Sequence, residues 1–143
     1  MSSYVLKNII DQIETQLKTI DGGTDYNYTL NHNYIYKKFM TVDSVSGWPA
    51  VCISSARTST EQADQITSEV SIEVEIFAYI QDSSPLDAIM NLCQDIEKSL
   101  FSDEKLGDCD VWNLLLSFNV ASLDDFGMAL ITLTAKTVYE KPI

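Results

Sequence analysis

Between Glu69 and Ile80 the chain reads EVSIEVEIFAYI, with Val70, Ile72, Val74, Ile76, Ala78 and Ile80 on one side and Glu69, Ser71, Glu73, Glu75, Phe77 and Tyr79 on the other. Successive side chains of a strand point to opposite faces, so a strict period of two predicts a strand with one buried side. The second side starts as carboxylates and ends as aromatics. At about 3.3 Å per residue, a strand of about 12 residues spans roughly 40 Å, twice the usual length.

Two further apolar-rich runs, Val111–Leu123 and Met128–Tyr139, close the chain. The connection Asp124-Asp125-Phe126-Gly127 between them reads as a hairpin whose glycine supplies positive φ. Two helices complete the pattern. From Tyr4 to Ile20 apolar residues fall at Leu6, Ile9, Ile10, Ile13, Leu17 and Ile20, a single helical stripe ended by Gly22-Gly23. The second helix starts with Ser84 as N-cap, Pro85 at the first helical position and Asp87 in the first turn, and its stripe is Leu86, Ile89, Cys93, Ile96 and Leu100. Between the first helix and EVSIEVEIFAYI, the spacing predicts a loop over 21–33, a short strand over 34–40, a second in PAVCISS and a polar loop over 54–66. The expected fold is α+β: an antiparallel-rich sheet of long strands with two main helices packed on one face, in one domain over 1–143.

The 143 residues include 21 acidic against 9 basic ones, a net charge of −12, and Arg57 is the sole arginine. That balance lacks the cationic footprint of a nucleic-acid binder, and the scattered lysines suit an anionic membrane surface no better. The N-terminal stretch, with Lys7, Asp11 and Glu14 among its apolar residues, does not read as a signal peptide, so a cytoplasmic location is expected. Cys52, Cys93 and Cys109 are odd in number and far apart, which reads as reduced thiols.

No catalytic constellation emerges, and neither a metal nor a cofactor is expected. His32 is the only histidine, flanked by asparagines without ligand spacing. Asp103, Glu104, Asp108 and Asp110 lack the spacing of a calcium loop, and Asp124-Asp125 reads as a turn. Attention therefore falls on the second side of the long strands. A sheet apolar on much of both faces needs cover on both, from helices on one and from a neighbouring subunit or the loops 21–33 and 54–66 on the other. Phe77 and Tyr79 are expected to pack against the following helix or a neighbour; Glu69, Glu73 and Glu75 are expected to be solvated.

Taken together, VLKNIIDQIETQL, WPAVCIS, EVSIEVEIFAYI, SPLDAIMNLCQDIEKSLF and DDFGMALITLTAKTVYEKP resemble, in order and texture, the tail terminator proteins of long-tailed bacteriophages. The resemblance spans nearly the whole chain. It implies a non-enzymatic virion protein, made in the host cytoplasm, that forms a homo-hexameric ring. Such a ring caps the tail tube protein, ends its polymerisation and joins the head–tail connector or neck, while DNA passes through the lumen without specific binding. The expected subunit or partner interface residues are Arg57 from the polar loop and Glu69, Glu73, Glu75, Phe77 and Tyr79 from the long strand. Another neck or tail-tube protein fits the same texture. The rival class is a small acidic enzyme or ligand-binding domain with Arg57 anchoring an anion and Glu73 or Glu75 as acid or base.

Overall fold

In the computed structural model, which describes residues 2–23, 25–62, 67–102 and 111–140, the elements run α1 (Ser2–Leu17), β1 (Ile35–Tyr36), β2 (Ala50–Gln62), β3 (Thr67–Gln81), α2 (Pro85–Phe101), β4 (Asn113–Leu123) and β5 (Phe126–Glu140). A 3₁₀ turn, His32–Tyr34, precedes β1. The strands form one sheet in the order β1-β2-β3-β5-β4, antiparallel throughout except for β1 against β2. Both helices pack on one face, so the α+β reading with its long strands is the observed fold.

The cross-strand register explains the core. On the helix side the rows run Ile53, Ile76, Ile131, Phe118 and then Ala56, Val74, Leu133, Leu116. The central members of each row are fully buried, beneath Ile9, Ile13 and Leu17 of α1 and Ile89, Leu92, Ile96 and Leu100 of α2. Side chains shrink where α2 begins: Ala78 pairs with Ala129, and Ile80 with Gly127. A Cβ on Gly127 would stand 2.4 Å from the Pro85 carbonyl oxygen and 2.7 Å from Ile89 Cβ. Gly127 is thus a close-approach glycine within β5, and the positive φ of the hairpin belongs to Asp124, at 54°. Gly22 does take the left-handed conformation, with φ 78°.

Several local expectations change. Of the segment expected as a loop over 54–66, residues 54–62 continue β2, each from Ser55 onward paired with β3, and residues 63–66 lie outside the described residues. A register shift between Ile53 and Ser55 breaks the alternation, and beyond it both sides are polar, so no hydrophobic period marks the strand. The strand expected over 34–40 shrinks to Ile35–Tyr36, because the chain must then cross to re-enter the sheet at Ala50. At α2, the Ser84 side chain makes no capping bond; its carbonyl accepts from Ala88 N, and Asp82 Oδ1 accepts from Ser84 N at 2.8 Å. Leu86 is exposed rather than part of the stripe.

The loop over 21–33 lies on the helix side, and Asp95 fixes it there. This aspartate is buried within the apolar side of α2, and its two carboxylate oxygens each accept a backbone N–H at 2.9 Å, from Asn27 and Tyr28. Asn27 Nδ2 donates in turn to the Asn91 carbonyl, and Lys98 Nζ donates to the Asp25 carbonyl. Cys109 and the carboxylates Asp103, Glu104, Asp108 and Asp110 lie outside the described residues.

Candidate functional site

The helix-free face of the sheet brings together the six residues expected at an interface, Arg57, Glu69, Glu73, Glu75, Phe77 and Tyr79. Arg57 stands opposite Glu73, Glu61 opposite Glu69, Cys52 opposite Phe77 and Ala50 opposite Tyr79, while Ser55 faces Glu75 just past the register shift. On the far side of β3, Thr134, Thr132, Leu130 and Met128 of β5 continue the same rows. The face therefore has a polar end and an apolar end, as the sequence of β3 dictates.

At the polar end, Arg57 Nη2 donates to Glu73 Oε2 at 3.1 Å, and Ser55 Oγ donates to Glu75 Oε2 at 3.3 Å. The Arg57 side chain is 77% exposed and that of Glu73 34%. A pair so wet contributes at most about 1 kcal/mol. Ser59, Ser71 and Thr134 join Arg57 and Glu73 around a hollow in the sheet surface. Glu61 and Glu69, directly opposite each other, repel. The expected solvated row is thus partly paired: Glu73 to a guanidinium, Glu75 to a hydroxyl.

Within the subunit, the apolar end is not covered by the following helix. Residues 37–49, the crossover from β1 to β2, strap over it. Phe39 meets Phe77 edge-on with ring centroids 5.2 Å apart, and Trp48 packs on Phe126 at 5.2 Å. Tyr79 Oη donates to the Met40 carbonyl at 2.8 Å, and Cys52 Sγ lies 3.8 Å from the same oxygen. Burial pushes the Tyr79 hydroxyl up to about 12, with Cys52 adding to it, and raises the Cys52 thiol. The strap follows from topology: a parallel β1–β2 pair needs a crossover, and the helices occupy the opposite face. Phe39, Met40 and Trp48, apolar residues inside a Ser/Gly-containing segment, were its signal in the sequence. Beside the strap an apolar hollow opens between Phe39, Phe77, Tyr79, Met128 and Leu130.

Chemically this face offers two cations, Arg57 and Lys136, with carboxylates and hydroxyls on a broad sheet. His32 sits elsewhere, its Nε2 3.2 Å from the Lys18 carbonyl at the end of α1. Cys93, on the helix side, has its thiol pushed up to about 12 by burial, with Glu97 adding to it, so its reactive thiolate is scarce at neutral pH. Among the described residues no group of three or more His, Cys, Asp or Glu could hold a metal ion, and no helix is long and apolar enough to cross a membrane. No protein-family model matches the chain, and no curated protein is found to be similar to it.

Proposed function

We propose that this chain is a ring-forming structural protein of a bacteriophage tail, a tail terminator that caps the tail tube, ends its growth and forms the surface joining tail to head. The observation that carries the reading is the one-sided sheet: helices close one face, while the other leaves a broad acidic stretch of long strands uncovered. The proposed arrangement turns that face inward, where Glu61, Glu69, Glu73 and Glu75 would line the lumen in every copy. Negative walls repel the phosphate backbone, so DNA slides through without sticking. Arg57 and Lys136 on the same face moderate the repulsion between neighbouring copies. The apolar strap and the adjoining hollow then lie at one rim, suited to contact with tube or neck protein.

The test is the mass of the protein in solution, alone and with purified tube protein, by sedimentation velocity and negative-stain microscopy. Rings of six copies, free or seated on tube ends and halting their elongation, are expected. A protein that stays monomeric under both conditions overturns the reading, and long tubes of this chain alone would assign it to the tube instead.

A further inference from the structure

The sheet has two bare edges, and they differ in a way that suits head-to-tail assembly. We infer that the ring closes by sheet continuation, with the outer edge of β4 in one copy pairing antiparallel with the outer edge of β2 in the next; the inference rests on the ring reading above.

The first edge is β4, NLLLSFNVASL, last in the strand order and paired on its outer side with none of the described residues. Edge strands are usually guarded by lysine, proline or an inward charge, because unpaired backbone groups recruit other strands. β4 has none of these: it is 11 residues long, contains no charged residue, and leaves Leu115 and Leu123 61% and 62% exposed. Its helix-side residues Leu114, Leu116, Phe118 and Val120 pack against the core yet are only partly buried, and a hollow opens between Phe118 and Val120 and the α2 residues Met90, Cys93, Gln94 and Glu97.

The second edge is the outer half of β2. β1 pairs only with Val51 and Cys52, so from Ser54 to Gln62 the outer side of β2 has no strand partner among the described residues. Its helix-side residues, Ala56, Thr58 and Thr60, are small and uncharged, and would adjoin the partly buried flank of β4 without a clash of charge.

Direction and charge select this pairing over a symmetric one. Because β2, β3, β5 and β4 alternate in direction, β4 runs opposite to β2. Rotation about an axis along the strands preserves direction, so β4 of one copy meets β2 of the next antiparallel, the arrangement already used inside the subunit. Joining β4 to β4 across a two-fold axis uses up one edge and closes at a dimer, whereas a heterologous contact propagates and closes as a ring. Copies carrying −12 each repel, and a contact with no charge on one strand and only the offsetting Arg57 and Glu61 on the other keeps that repulsion low.

Hydrogen–deuterium exchange on the full-length protein, assembled against dilute and dissociated, tests the pairing without a substitution that endangers the fold. Peptides covering 113–123 and 54–62 are both expected to slow by at least about tenfold in the assembly, since their outward N–H groups gain partners. Rings that form with both peptides unchanged overturn the pairing and leave the ring reading standing. Protection confined to 113–123, with a dimer as the product, overturns it in favour of the symmetric contact. If no assembly forms even on tube ends, both readings fall together.

Discussion

Strand β3 presents one face to the helices and the other to the open side, and neighbouring rows across the sheet show how differently the two are built. Ile53, Ile76, Ile131 and Phe118 make one row; Ser55, Glu75, Thr132 and Ser117 make the next, on the opposite face. The first is dry and packed, and its members stabilise through area removed from water and close contact. The second is wet, and its hydrogen bonds and charges replace equivalent ones to water, so it contributes little to folding. The contrast separates two jobs within one strand: the helix side holds the subunit together, and the open side is left to meet something outside it.

The largest effect should come from breaking the packed row. Ile76→Ala removes a fully buried side chain at the centre of the sheet and is expected to cost about 2–5 kcal/mol, read from urea unfolding. Thr132→Ala, on the open face one residue along β5 from Ile76's partner Ile131, should stay within about 0.5 kcal/mol. Similar costs at the two positions would erase the distinction between the faces. Next in size is Asp95→Ala, which leaves the N–H groups of Asn27 and Tyr28 without their acceptor and should cost about 1–3 kcal/mol. Asp95→Asn, keeping one acceptor oxygen, should cost less, and faster amide exchange over 25–29 would locate the damage.

The strapped end of the open face is an intermediate case. Tyr79→Phe keeps the ring but loses the hydroxyl bond to Met40, worth about 1 kcal/mol, and should expose the strap over 37–49 to limited proteolysis. Alkali probes the same hydroxyl. The folded-state pKa of Tyr79, about 12, lies above its ordinary 10.0, so the stability it contributes is complete below pH 10 and drains away as pH rises towards 12. Cys93 behaves likewise from its ordinary 9.0 up to about 12 on the helix side. Thermal melts in reducing buffer should therefore decline above pH 9 and more steeply above pH 10. In Tyr79→Phe the second decline should be shallower; an unchanged profile would remove Tyr79 as its source.

Much of this contrast is legible in the sequence, and the part that is not has a physical reason. EVSIEVEIFAYI and the two closing runs announce themselves because each carries apolar residues on its helix side with a period of two. The outer half of β2 is hidden because a one-residue register shift resets its alternation and its residues are polar on both sides; β3, remote in sequence, decides its conformation. Gly127 lies next to a turn and reads as a turn residue, yet α2 determines its role by resting on it. Asp95 interrupts an apolar stripe, which signals a buried acceptor, but only the fold supplies the loop whose N–H groups it binds. The candidate face was found, its acidic end included; the strap over its apolar end depends on a parallel β1–β2 pair that a two-residue strand does not advertise.

The smallest folding effect and the most specific functional one should coincide at Glu73 and Glu75. Replacing both with glutamine retains side-chain volume and an acceptor oxygen, so Ser55 keeps a partner for its hydroxyl while Arg57 loses a charge partner at an exposed site. Unfolding free energy should move by less than about 1 kcal/mol, since the pair is solvated and the face contributes little to the core. If the face lines a channel, the double variant should still assemble. Each six-copy ring would then carry about 12 fewer negative charges, and its retention on an anionic nucleic-acid matrix should rise most at low salt, where screening is weakest. A variant that unfolds would show these carboxylates to be part of the fold. One that assembles but binds DNA no better than the parent at any salt would place the face away from the DNA path, and the contrast between packed and open rows would then need a different partner.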